Sequence, residues 1–246
     1  MKRRIDQLLV ERRFASSREK AKAILMAGQV MLGTDVVTKA GALVPVDAVI
    51  NVKNSPRYVG RGGIKLAAAL KAFRMDVTGS VALDIGASTG GFTDCLLQNG
   101  ANHVYAVDVG HGQLDFTLRQ NPKVTCLERI NARYPFDLPD KVDLVVIDVS
   151  FIGLRLIIPG IFPHLNPDAN IVALVKPQFE AGRSEVGKNG VVRDPSVHGR
   201  VLGSLLLWAI NKSIRIRGVV TSPITGDAGN REFFVLLNPP NGKNHV

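Results

Sequence analysis

From residue 80 to residue 238 the chain alternates short, mainly apolar runs with stretches of helical periodicity. This alternation restricts the fold more than any other feature. The runs fall at 81–85, 104–107, 124–127, 142–147, 171–175, 214–221 and 233–237. A strand apolar at consecutive positions is buried on both faces, and helices packed on both sides of a parallel sheet supply that burial. The pattern therefore predicts a doubly wound, parallel α/β sheet. Such sheets bind ligands outside the carboxyl ends of their strands, so polar residues just after the runs are candidate site residues. With 246 residues, 46% of them hydrophobic, the chain can build one large core and one small module.

The small module is expected at the N-terminus. Ile5, Leu8 and Leu9 have helical spacing, and a second helix is predicted through Ala21, Ile24, Leu25 and Met26. Ser16 with Glu19 reads as a capping box opening that helix, and Gly28 as the residue that ends it. Strand-like runs follow at 29–32, 36–37 and 48–52. Residues 1–57 hold eleven Lys/Arg against five acids, six of the chain's ten excess positive charges. That is the electrostatic footprint of a polyanion-binding module. The candidate contacts are Arg3, Arg4, Arg18, Lys20 and Lys22, with Arg61 beyond the module. No aromatic pair is placed to stack bases, so phosphate contact is expected rather than base reading. The divisions are 1–55 for the module, 56–63 for a Pro/Gly-rich linker and 64–246 for the larger unit, helical from Ile64 to Phe73. The tail from Asn238 onward is polar and is expected to fray.

The first strand of the large unit runs into Leu83-Asp84-Ile85-Gly86-Ala87-Ser88-Thr89-Gly90-Gly91-Phe92, a strand, Gly-rich turn and helix start. Glycines let a ligand press against backbone, and the helix N-terminus offers free N–H groups. Asp108, ending the next strand roughly 20 residues on, is placed to hold two ribose hydroxyls. That combination also suits a nicotinamide dinucleotide. The glycine spacing lacks the dinucleotide fingerprint, however, and Asp84 before the turn can steer a cationic amino-acid group through waters or backbone. Both details favour S-adenosylmethionine. Asn131 and Arg133 follow the third strand, where an adenine ring is flanked. Gly182 to Lys188 imitates a phosphate-binding loop, but Asn189 replaces the required Ser/Thr and no strand immediately precedes it. Residues 181–193 are read as a mobile basic loop near the substrate, His198 as a helix-surface residue and Trp208 as a packing residue of the same helix.

Four further residues sit at strand ends or Gly turns: Lys65, Asp148, Lys176 and Glu232. A Lys-Asp-Lys-Glu set around one pocket suits proton removal from a weakly acidic hydroxyl. Asp148-Val149-Ser150-Phe151 lacks the Pro-Pro-aromatic sequence expected of enzymes that methylate exocyclic base amines.

The N-terminal pattern resembles the S4 RNA-binding domain, with Arg13 or Phe14 where such domains carry a glycine between the helices. Together with Arg61-Gly62-Gly63-Ile64-Lys65-Leu66, Leu174-Val175-Lys176-Pro177-Gln178-Phe179 and Gly229-Asn230-Arg231-Glu232-Phe233, the chain resembles the hemolysin A (TlyA) family over essentially its whole length. The resemblance implies a Rossmann-like class I methyltransferase sheet of the FtsJ/RrmJ kind behind a small α+β S4-like domain. It implies S-adenosylmethionine-dependent 2′-O-methylation of a ribosomal RNA ribose, a cytidine's, with ribosomal RNA or ribosomal subunits as partner. It places Lys65, Asp148, Lys176 and Glu232 as the catalytic tetrad. Lys176 is then the expected general base, Lys65 holds the oxyanion or orients the hydroxyl, and the two carboxylates position the lysines. The short ends of the chain resemble the family's shorter type, which modifies the large subunit only. A non-catalytic RNA-binding or ribosome-assembly factor is the runner-up. A cytolysin is disfavoured, because no apolar run approaches the ~18 residues that span a bilayer and the charged first 14 residues leave no signal-peptide core. Cys95 and Cys126 form no metal or disulfide spacing, so a reduced, cytoplasmic protein is expected, with no metal and no obligate protein partner.

Overall fold

The computed structural model describes residues 1–52 and 57–240. Pro56, expected to break the linker, and the tail beyond residue 240 lie outside the described residues.

The N-terminal unit begins with strand β1 (Lys2–Arg4) and helices α1 (Ile5–Glu11) and α2 (Arg18–Met26). Strands β2 (Val30–Leu32), β3 (Asp35–Val36), β4 (Leu43–Pro45) and β5 (Ile50–Val52) follow. β1 pairs antiparallel with β4, and β3, β2 and β5 form a second sheet. The apolar stripe of the two helices, Ile5, Leu8, Leu9, Ala21 and Leu25, closes on Val30, Val44 and Ile50. The cap of α2 lies one residue later than expected. Ser17, in an extended conformation, accepts a hydrogen bond from Lys20 N at 3.2 Å, so Ser16 and Glu19 do not form the capping box. Arg13 takes a left-handed conformation at φ 62°, the position where the resembling domains carry glycine. An L side chain there costs about 1–2 kcal/mol. Gly28 ends α2 with φ 66°, as expected.

The larger unit comprises α3 (Arg61–Phe73), β6 (Val81–Ile85), α4 (Gly91–Gln98), β7 (His103–Asp108), α5 (Phe116–Arg119), β8 (Val124–Glu128) and β9 (Val142–Ile147). It continues with α6 (Ile158–Ile161), β10 (Leu165–Val175), α7 (Pro177–Glu180), α8 (Pro195–Asn211), β11 (Arg215–Thr221) and β12 (Phe233–Asn238). The seven strands lie in the order β11-β12-β10-β9-β6-β7-β8. β10, β9, β6, β7 and β8 run parallel, whereas β12 is antiparallel to both neighbours. The all-parallel expectation fails at this edge because no crossover helix separates β11 from β12, and parallel neighbours need one. Asn238 is also not frayed: it ends β12 buried, with its amide donating to Ala169 O at 3.1 Å.

Alternate residues of each central strand face opposite layers. Ala82, Leu144, Val146 and Leu174 pack under Leu66, Leu70 and Leu96 of α3 and α4. Leu83, Val145, Ile147 and Val175 pack against Ile158 of α6 and Val201 and Leu205 of α8. Chain order reverses between β6 and β9, which places the ligand crevice outside their carboxyl ends.

Candidate active site

The crevice begins with the close approach of two helix N-termini. α3 starts at Arg61, three residues before the expected Ile64, so Gly62 and Gly63 form its first turn. A Cβ on Gly63 would lie 2.3 Å from Tyr58 Cγ, and one on Gly91 would lie 3.0 Å from Gly63 N. Gly62 and Gly63, which the sequence assigned to the linker, instead let α3 interlock with α4. That packing fixes the position of Lys65, one turn further along α3.

Lys65 and the three other charged residues line one cleft of about 430 Å³, although they are scattered in sequence. They meet as two ion pairs. Lys65 Nζ donates to Glu232 Oε2 at 2.6 Å, and both residues are buried, 8% and 2% exposed. Gly226 makes room for this carboxylate, since a Cβ there would collide with Glu232 Oε1. Lys176 Nζ lies 2.6 Å from Asp148 Oδ1, an ion pair without hydrogen-bond alignment, because Asp148 Oδ1 has no hydrogen-bond partner. The directed hydrogen bond of Lys176 goes to Ser150 Oγ at 2.9 Å. Ser150 was visible in the sequence only as part of the Asp-Val-Ser-Phe motif, with nothing local to mark it as a partner of Lys176.

The expected cofactor residues divide between this cleft and an adjoining one of about 490 Å³. Gly86, Ala87, Ser88, Thr89, Gly91 and Phe92 line the first. Asp108 and Asn131 line the second, which also reaches Gly86 and Ser88. Gly86, at φ 83°, sits where a Cβ would come within 2.5 Å of Asp148 O, so only glycine lets β6 turn this close to β9. Gly90 sits behind the turn at φ 94°, against Leu114 and Leu118. Asp108 is held by the loop itself, accepting from Ser88 N and Gly110 N, each at 2.7 Å. No side chain caps α4. The open turn, the uncapped helix start and the Asp108 carboxylate fit a ligand carrying both an amino-acid group and a ribose. Arg133 lies outside both linings and is exposed, its N–H donating to Asn131 Oδ1.

Asp84 meets the turn only from below. It is fully buried beneath the turn and lines neither cleft. Oδ2 accepts from Thr93 Oγ1 at 2.6 Å and Oδ1 has no partner. Burial, with the Asp148 charge adding to it, pushes this carboxyl up to about 7. Asp84 can act on a ligand only through the backbone and its field. A buried carboxyl raised in this way binds its proton more tightly in the folded chain. Its stabilising contribution is complete below the unfolded value, near 4, and is lost as pH rises through 7. Asp84→Asn is therefore expected to lose less stability than the parent between pH 5 and pH 8, by about 2 kcal/mol in urea unfolding. Equal losses would mean that Asp84 does not titrate in this range.

The loop 181–193 is hydrogen-bonded at its C-terminal end. Asn230, itself buried, accepts from Val192 N at 3.0 Å and donates to Gly190 O at 2.9 Å. His198 is buried, not on the helix surface. Its Nε2 lies 3.0 Å from Val192 O and its ring sits against Phe233.

In the N-terminal unit several of the predicted RNA contacts are already paired. Asp6 is fully buried, and Arg4 Nε, Arg4 Nη2 and Arg18 Nη2 donate to it at 3.0, 3.1 and 2.9 Å. The two guanidiniums hold its carboxyl well below the usual carboxylate range. Arg3 pairs with Glu11, and Lys20 lies 3.8 Å from Asp115 of the larger unit. Arg61, at the start of α3, donates to Thr225 O at 2.6 Å and lines the tetrad cleft. Lys22 is exposed. Among the described residues no His/Cys/Asp/Glu cluster could hold a metal, and no helix is long and apolar enough to cross a membrane.

The FtsJ-like methyltransferase family matches residues 58–239, and the S4 domain matches residues 3–50. A Bacillus subtilis protein, YqxC, provisionally described as an rRNA methyltransferase, is 49% identical over 97% of this chain and 86% of its own. The 16S/23S rRNA (cytidine-2′-O)-methyltransferase TlyA of Mycobacterium tuberculosis is 45% identical over 95% of this chain and 89% of its own. A solved structure from Streptococcus thermophilus, provisionally described as a hemolysin, is 43% identical. It superposes with a TM-score of 0.74 over 98% of this chain and 89% of that one.

Proposed function

The chain belongs to the FtsJ-like methyltransferase family and carries an S4 domain ahead of its catalytic unit, and on that premise we propose that it methylates the 2′-oxygen of a cytidine ribose in ribosomal RNA. The convergence of both lysine–carboxylate pairs on the cleft that also holds the glycine turn carries this reading. S-adenosylmethionine, when bound, supplies a methyl group on a sulfonium centre. The glycine turn and the start of α4 would hold its amino-acid end, with Asp108 on the ribose hydroxyls and Asn131 beside the adenine.

The acceptor hydroxyl must lose its proton as the methyl group arrives. Lys176 takes that proton in its neutral form. A neutral amine keeps two N–H groups and one lone pair, so it can still donate to Ser150 while the lone pair faces the hydroxyl. Asp148 then stabilises the ammonium that forms. Lys65, held in place by Glu232, faces the developing negative charge on the oxygen. The S4 domain supplies phosphate contacts, which position the RNA without reading its sequence.

The test uses the full chain, labelled S-adenosylmethionine and isolated ribosomal subunits. Alkali-resistant label on a cytidine ribose is the expected product, whereas label on a base would overturn the reading. Lys22→Gln is the cleaner probe of the S4 surface than any change at Arg18, whose loss would expose the buried Asp6. It should lower RNA affinity and reduce the salt slope by about 0.9 for a lost phosphate contact. An unchanged slope would remove Lys22 from the interface.

A further inference from the structure

We propose that Gln178 selects the acceptor nucleotide, its side-chain carbonyl accepting a hydrogen bond from the exocyclic amine of the target cytosine. The proposal rests on the ribose-methylation reading above. Gln178 lies in α7, two residues after Lys176. Its Oε1 is buried without a hydrogen-bond partner, yet the residue lines the tetrad cleft. A buried amide oxygen left unpaired is costly, and native proteins rarely carry one without a role. In a cleft wall, a ligand N–H is the group that would satisfy it.

The position of Gln178 narrows the identity of that ligand. Gln178 and Phe179 line the tetrad cleft but not the adjoining cleft beneath Asp108 and Asn131. Their side of the site therefore belongs to the acceptor rather than to the adenosine end of the cofactor. The Phe179 ring stands 5.0 Å from that of Phe151, which is 91% exposed at the mouth of the cleft. Flat apolar walls beside one amide suit a nucleobase. A base whose ribose oxygen lies between Lys176 and Lys65 is within a few bonds of that wall. Cytosine presents an N4 amine at the edge where uracil presents a carbonyl oxygen. The amine satisfies Gln178 Oε1 as the amide stands, whereas the carbonyl meets an acceptor until the amide turns end for end.

Gln178→Met keeps the length of the side chain and removes the acceptor. It is expected to leave the melting temperature unchanged or higher, because an unpaired buried oxygen is lost. The parent and the variant would be assayed on ribosomal RNA substrates carrying cytidine or uridine at the mapped position. The parent should prefer cytidine by about 10–100-fold in kcat/KM. Gln178→Met should lose that factor on cytidine, remove the preference and keep its affinity for S-adenosylmethionine. Retention of the full preference by the variant would overturn the proposal while ribose methylation stands. A loss of cofactor affinity in its place would assign the oxygen to the methionine ammonium and likewise overturn it. No ribose label from the parent would overturn the ribose-methylation reading itself, and this proposal with it.

Discussion

Lys176→Ala is expected to lower the rate of methyl transfer by about 10²–10⁴-fold, the range contributed by a positioned general base. Cofactor affinity should stay close to that of the parent, because Lys176 is engaged with Asp148 and Ser150, whereas Asp108 is held by the glycine turn through Ser88 N. Calorimetry with S-adenosylmethionine therefore serves as the folding control. Alanine alone does not separate a base from a fixed positive charge, since it removes both. Lys176→Arg does, because a guanidinium preserves charge beside Asp148 and remains protonated under all assay conditions. If Lys176 is the base, both variants are inactive. An active arginine variant would reduce Lys176 to an electrostatic role, and the base assignment would pass to Lys65.

Glu232→Gln tests the second pair, and its largest effect should fall on stability. Lys65 and Glu232 meet at 2.6 Å with little solvent access on either side. Removing one charge leaves the Lys65 ammonium buried and uncompensated, which costs about 3–5 kcal/mol. The urea midpoint should fall accordingly, with the m-value unchanged. Methyl transfer should fall as well, because Lys65 loses the group that holds it toward the oxygen. The double variant Lys65→Met/Glu232→Leu distinguishes structural from chemical value. Apolar side chains of similar size commonly replace a buried ion pair without net loss. The double variant is thus expected to regain most of the stability and none of the activity. A Glu232→Gln chain as stable as its parent would mean that Lys65 does not carry an isolated buried charge there. An active double variant would remove the pair from the chemistry.

Much of the catalytic unit was legible before any coordinates. Strands buried on both faces announce themselves as continuous apolar runs, and six of the seven have a directly readable direction because a helix-bearing crossover precedes or follows them. The exception was β12, whose direction depends on the missing crossover after β11. Gly86, Gly90, Gly91 and Asp108 were also readable, because turn chemistry and the residue at a strand end are local properties. The N-cap of α2 was missed by one residue: the spacing to Glu19 favours Ser16, but it is Ser17 whose extended backbone lets its hydroxyl accept from Lys20 N.

The sequence by itself determined the sheet, the glycine turn and the basic first module, each from composition and spacing within a few residues. The four polar residues stood out locally only as strand-end and Gly-turn charges, and their grouping as a tetrad came from the family resemblance. Only the tertiary structure decided which lysine joins which carboxylate, because Lys65 and Glu232 are 167 residues apart. It also turned Gly62 and Gly63 of the expected linker into packing contacts, and set Asp84 wholly beneath the glycine turn. The vacant bonding capacity of Gln178 belongs to the same group. Each of these depends on what surrounds an atom in three dimensions, and burial and pairing between distant segments leave no periodic trace along the chain.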